Sequence, residues 1–302
     1  MLKSFATESE PGKGILVCQC RDNRTQFSRI HAQYPLKFIP TKAHAERLAA
    51  VYMLSYGGGI VSGDLFDISL TVEERAILLL MTQGNTKVFK DGYSKRATTA
   101  GPSSIQYIVS HVHINATLLV LPDPVTSFKN SSFSSRQTFN LADDSSRLVL
   151  LDWFTSGRLT RGEKWSFKHY SSKIDVRLAD KLILRDHMVL DDDENTDKKS
   201  IINEKTSYAD RLSPYTCFAT LVVVGVETAI RTIERKAQKR LMATMRPRDM
   251  LWSASPFLKG KGMLVRVAGV TTEQVRDFVK LECLGDGLTE YIGDGMFAKV
   301  LM

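Results

Sequence analysis

Between residues 65 and 81 the hydrophobic pattern changes period with no helical stretch between. Phe66, Ile68, Leu70 and Val72 alternate with Asp67, Ser69 and Thr71, the pattern of a strand with one buried face. Residues 77–81 (Ile-Leu-Leu-Leu-Met) then run apolar without a break, which calls for a strand covered on both faces. Ahead of both, Gly57, Gly58, Gly59 and Gly63 allow left-handed backbone or close approach to another chain segment. Behind them, Thr82, Gln83, Thr86 and Lys87 place hydroxyl, amide and ammonium groups at the strand exit. On pattern alone this is a β-hairpin with a solvated polar end. The glycines do not match a phosphate loop, because they lack a Gly-Lys-Ser/Thr ending and precede a strand, not a helix.

Short strands dominate the first two thirds of the chain. Residues 15–20, 105–109, 112–121, 136–141, 148–154, 165–171, 173–178 and 182–190 all read as β. Their density, with no helices between them, argues against a doubly wound α/β sheet. The polar run at 191–200 reads as an exposed acidic loop. Beyond it, 218–226 is a strand candidate. Residues 228–246 carry Ile230, Ile233, Ala237, Leu241 and Met245 at helical spacing, ended by Pro247. A second helix is expected over 271–283, capped by Thr271 or Thr272, with Val275, Phe278 and Val279 on one face. The expected organisation is one domain over 1–302: a β-rich core to 190, the acidic loop, and an α+β part from 201.

The 302 residues suffice for a sizeable core, and the net charge of +8 favours acidic partners. No apolar run is long enough to span a bilayer, and the first residues lack the order of a secretion signal. A cytoplasmic protein is expected, and four cysteines do not make a disulfide framework.

Several residue groups bear on chemistry. His111 and His113 stand two apart on an expected strand, so both imidazoles would point to one face and could hold a borderline metal such as nickel; paired polar residues on an exposed face are the alternative. Cys18 and Cys20 read as alternately buried thiols, and His187 as a structural histidine. The 228–246 helix is basic outside, through Arg231, Arg235, Lys236, Lys239 and Arg240. No nucleic-acid module accompanies it, so neither nucleic acid nor membrane is expected as a partner. Serine-hydrolase, zincin, Walker and dinucleotide motifs are all missing from the sequence. The enzyme alternative is a β scaffold acting on a small anionic substrate near Lys87, Arg158 and Arg161.

The stretches Gly-Gly-Ile-Val-Ser-Gly-Asp (58–64) and Thr-Gln-Gly-Asn-Thr-Lys-Val-Phe (82–89) resemble the UreD family of urease accessory proteins, called UreH in some organisms. Pro-Leu-Lys (35–37), Leu-Pro-Asp-Pro (121–124) and Gly-Arg-Leu-Thr-Arg-Gly-Glu (157–163) follow the family's order, and the match covers roughly residues 30–190. The carboxyl-terminal third resembles it only loosely. The resemblance implies a mainly β fold of β-helix-like stacked sheets with a few helices, mostly in the C-terminal third. It implies a non-enzymatic nickel metallochaperone that binds apo-urease, a UreF-type adaptor and a UreG-type GTPase, and it leaves room for a dimer within that complex. Nickel would be transported through a water-filled passage.

Under that implication Asp64, Glu163 and Asp152 are transient nickel ligands, Thr82 and Gln83 are relay ligands or wall groups, and Lys87 and Arg158 hold the walls. The plainer readings are that Asp64 caps a turn and that Glu163 pairs with Arg158 or Arg161. Asp152, an acid in a buried strand, requires either a partner or a wet channel.

Overall fold

The computed structural model describes residues 10–42, 45, 47–91, 104–191, 208–242 and 248–302. Its strands are β1 (Lys13–Arg21), β2 (Arg24–Ala32), β3 (Leu36–Thr41), β4 (Leu48–Ser55), β5 (Leu65–Val72), β6 (Ile77–Met81), β7 (Thr86–Val88), β8 (Ser104–Val112), β9 (Thr117–Val120), β10 (Val125–Ser127), β11 (Ser132–Leu141), β12 (Arg147–Thr155), β13 (His169–Leu178), β14 (Lys181–Asp191), β15 (Cys217–Val224), β16 (Met250–Phe257) and β17 (Gly262–Gly269). The helices are α1 (Tyr208–Arg211), α2 (Glu227–Met242), α3 (Thr272–Asp277), α4 (Gly285–Ile292) and α5 (Asp294–Lys299).

From β4 to β13 the chain alternates between two sheets. β5, β8, β11 and β13 lie parallel in a seven-stranded sheet ordered β14-β13-β11-β8-β5-β1-β2, while β4, β6, β9 and β12 lie parallel in a ten-stranded one. Each circuit adds one strand to each layer, so this part of the chain is a flattened β-helix. Antiparallel strands finish the ends: β2 and β14 on the smaller sheet, and β3 and the β15-β17-β16 meander on the larger. The β-helix-like fold with helices gathered near the C-terminus is therefore the one observed.

Two apolar cores explain the change of period in the sequence. Phe66, Ile68, Leu70 and Val72 of β5 face inward and meet Leu78 and Leu80 of β6 between the sheets. Ile77, Leu79 and Met81 point to the other side of β6, into a second core shared with Ile230 and Ile233 of α2, Val275 of α3 and Leu288 of α4. Apolar residues on both sides of one strand thus serve two layers. Thr271 caps α3 with a full capping box closed by Gln274, and the helix runs on as a π-helical turn over Phe278–Cys283, which buries Phe278 and Val279 as expected.

Some expected boundaries move. The stretch 112–121 is two elements, because the chain turns at 113–116 with Asn115 at φ 55°. The strand expected from 165 starts only at His169, after Trp165 at φ 54°. β2, β3, β4, β7, β10, β16 and β17 have no counterpart in the sequence reading. The acidic run after Asp191 and the helix end at 243–247 lie outside the described residues.

Candidate functional site

Proline breaks the ten-stranded sheet at one point. Pro122 and Pro124 have no N–H to give to a ladder, so β9 stops at Val120 and β10 begins at Val125. Opposite them, β6 and β7 are separated by residues 82–85. β12 pairs with β9 through Leu150 and with β10 from Phe154, which leaves Leu151, Asp152 and Trp153 without a strand neighbour on that side. The two bends are tied to each other. Asp123 N–H donates to Thr82 Oγ1 at 2.7 Å, Gly84 N–H donates to Asp123 Oδ2 at 2.8 Å, and Trp153 Nε1 donates to the Pro122 carbonyl at 2.8 Å. The result is a slot through the sheet with Thr82 and Asp123 on its rim and Asp152 behind it.

Inside the slot the core turns polar. Gln106, Ser135 and Ser172 face one another across β8, β11 and β13, and the next rung carries Gln137 and, on β14, Asp186. From the larger sheet Asp152, Thr220 and Arg266 stand side by side on β12, β15 and β17. A cavity of about 40 Å³ lies behind the slot, with Asp123 and Asp152 as its charged walls; this is room for about three waters. A smaller one of about 10 Å³, bounded by Asp152, Ser172, Asp186 and Thr220, is at the threshold for one water. Asp152 is half-buried and borders both cavities. Ser135 Oγ and Tyr170 Oη line the larger cavity, are buried, and have no hydrogen-bond partner among the described residues.

Ser172 Oγ donates to Asp152 Oδ2 at 2.6 Å and Gln137 Nε2 to Oδ1 at 3.3 Å. Burial nevertheless pushes the Asp152 carboxyl above its ordinary pKa, and the Asp186 charge adds to this while the hydrogen bonds oppose it. Burial also raises Asp123, against the Gly84 and Thr82 hydrogen bonds. At the far end Thr220 Oγ1 donates to Asp186 Oδ2 at 3.4 Å, and Arg266 forms an ion pair with Oδ1.

The other expected site residues lie apart from these cavities. Asp64 caps its own turn, accepting the Val61 N–H at 2.9 Å. Glu163 is clamped by both nitrogens of the Arg158 fork, Nε at 2.8 Å, and accepts the Lys129 N–H at 3.2 Å. This pairing holds its carboxyl below the ordinary value. The Arg158 guanidinium lies 3.9 Å from the Phe128 ring centre, and Gly157 lets the loop close, since a Cβ there would stand 2.4 Å from the Glu163 carbonyl. Gln83 and Lys87 are exposed. His111 is exposed on β8, while His113 falls just past the strand end, 3.8 Å from Glu73. Among the described residues no three His, Cys, Asp or Glu side chains gather as a metal cluster. On α2, Arg231 pairs with Glu227, Lys236 with Glu282, and Arg235 lies 4.0 Å from Asp286, so much of its basic face is balanced locally.

The profile of the family described as UreD urease accessory protein matches residues 10–284. The chain belongs to the UreD family. It is 32% identical over 294 residues to urease accessory protein D of Arabidopsis thaliana, covering 88% of this chain and 94% of that one. It is 33% identical over 292 residues to urease accessory protein UreD of Sorangium cellulosum, covering 95% and 84%. Urease accessory protein 4 of Cryptococcus neoformans is 30% identical over 312 residues, covering 96% and 95%. Relatedness therefore reaches well into the carboxyl-terminal third, beyond the part whose motifs are recognisable by eye. The UreD family consists of accessory proteins rather than enzymes, as the sequence suggested. No helix among the described residues of this UreD-family chain is long and apolar enough to cross a membrane.

In this UreD-family chain the polar row and its outer end include residues that sequence reasoning did not single out: Asp123, Gln137, Ser172, Asp186, Thr220 and, half in solvent, Arg266. The Leu-Pro-Asp-Pro stretch carried a usable signal for Asp123, because two prolines around an acid mark a broken ladder. Asp186 and Arg266 gave none, since their meeting depends on how β14 and β17 lie across the gap between the sheets.

Proposed function

We propose that this chain helps deliver nickel to apo-urease in the cytoplasm, working in a complex with a UreF-type adaptor and a UreG-type GTPase. A dimer within that complex fits the same reading. Nickel is cargo, held in passing and not stored. The observation that carries the proposal is the place of Asp152: a half-buried carboxylate that lines two neighbouring cavities, one behind the Thr82–Asp123 slot and the other beside Asp186. Carboxylate, hydroxyl and amide oxygens bind nickel more weakly than imidazole or thiolate, which suits a path that must release the ion. The space is too small for a hexahydrated ion: on the measure that gives room for about three waters, six waters need roughly 60–90 Å³. The ion would shed part of its shell and accept Asp123, Asp152 and Asp186 oxygens in its place.

Glu163 and Arg158 hold the loop after β12, Asp64 fixes the turn before β5, and Gln83 and Lys87 lie beyond the Thr82 rim. The test is deletion of this chain in its source organism, with urease activity and the nickel content of purified urease as readouts. Urease that persists without nickel until the chain is restored supports the reading; normal loading without the chain overturns it.

A further inference from the structure

Asp186 is the acid at the end of the passage away from the slot, and a cation sits on it. Its side chain is 14% exposed, whereas that of its partner Arg266 is 50% exposed. Arg266 projects from β17, next to β16, which ends the ten-stranded sheet, and its register partner there is Ser253. Behind the pair, the Thr220 hydroxyl occupies the other Asp186 oxygen. Further in, beside Asp152, the unpartnered Ser135 and Tyr170 hydroxyls mark an interior shaped for a polar occupant.

We propose that Arg266 is the charge gate of this passage: seated on Asp186 it bars a divalent cation from the mouth, and drawn away by an acidic group of a docking partner it frees Asp186 to ligate. This rests on the passage reading above. Arginine is permanently charged in proteins, so Arg266 leaves Asp186 by moving and not by losing its proton. Its long side chain is half in solvent and moves by its own rotamers without backbone change. With the guanidinium in place the mouth carries no net charge; without it, one negative charge faces an incoming dication. A half-exposed ion pair contributes little to stability, which keeps the variants usable.

The test titrates Ni²⁺ into the full chain by calorimetry at fixed pH and salt, alongside thermal melts. Arg266→Gln is expected to bind Ni²⁺ on the order of tenfold tighter, since one opposing charge is gone. Arg266→Lys should stay near the original affinity, and adding Asp186→Asn to Arg266→Gln should remove the gain. If Arg266→Gln melts early, Arg266→Met supplies the same readout with more packing. Unchanged or weaker Ni²⁺ binding in a folded, charge-removed variant overturns the gate. Urease loading separates the two readings. If Asp152→Asn fails to load urease while Arg266→Gln leaves Ni²⁺ affinity unchanged, the passage stands and the gate falls. If Asp152→Asn loads urease normally, the passage falls and the gate with it.

Discussion

Asp152→Asn removes one charge from the middle of the proposed passage and keeps the side chain's shape. The amide keeps an oxygen for Ser172 Oγ, now 2.6 Å from Oδ2, and its NH2 replaces the oxygen that accepts from Gln137 Nε2, so the Gln137 amide must flip to offer its own oxygen. Unit charges 4 Å apart interact by about 4 kcal/mol at an effective dielectric of 20, so a dication beside the carboxylate gains roughly 8 kcal/mol, most of it offset by lost hydration. If only about 1.4 kcal/mol of the net remains in the crossing barrier, its loss slows transfer about tenfold. The expected result is urease activation at least about tenfold slower, with nickel content of the purified urease falling in parallel and the accessory complex still recovered by pull-down.

Stability should move the other way. The folded carboxyl has a raised pKa, so its contribution is fully present below the unfolded value and is lost as pH rises through the folded one. Asp152→Asn should therefore melt no lower than the parent protein at pH 8, and any advantage should shrink toward pH 4. Activation at the parent rate by a variant that folds and assembles would refute the reasoning that nickel passes this carboxylate.

Three further outcomes follow from the same geometry. Glu163→Gln should lower the melting midpoint at neutral pH; because the folded carboxyl is held below its ordinary pKa, the deficit should close as pH falls through the folded value, and a deficit independent of pH would count against the ion pair as its cause. Gly157→Ala should cost about 2 kcal/mol or more in denaturant titration, since φ is 134° and a Cβ would meet the Glu163 carbonyl at 2.4 Å. Tyr170→Phe should change stability by less than about 1 kcal/mol if cavity water serves the hydroxyl, whereas a gain of about 1–3 kcal/mol would show that the interior is dry.

The layers of the fold were legible because they depend on local periodicity. Alternation in β5 and the unbroken apolar run in β6 each state how many faces are covered, and the two cores answer them. β2 was missed for the opposite reason: as an edge strand it carries many exposed polar residues, Arg24, Gln26 and Ser28 among them; β16 hides its short apolar face, Met250, Trp252 and Ala254, among the exposed Leu251, Ser253 and Ser255. At the candidate site, Thr82 and Asp152 could be picked out because each is a polar residue at the end or middle of an apolar strand. Asp64 and Glu163 drew notice for standing beside glycines. In the structure those glycines explain turn geometry, and the carboxylates serve the turns.

Polar residues in β8, β11 and β13 give a weaker signal individually than they do together. Ser135 or Gln137 alone in a strand reads as a solvent-facing position. Only the register, which sets Gln106, Ser135 and Ser172 on one rung, shows that the polar faces of three successive circuits coincide and point inward. A β-helix makes such coincidence inexpensive to build, because each circuit repeats the same rung and a polar residue stacked on a polar residue has a neighbour of its own kind. The opening that reaches this row is set by a different device, the two prolines that stop β9 before Asp152. A stacked polar row and a broken ladder are independent features of the chain, and their meeting at Asp152 sets a half-buried acid between two cavities, the arrangement on which the proposed cation path rests.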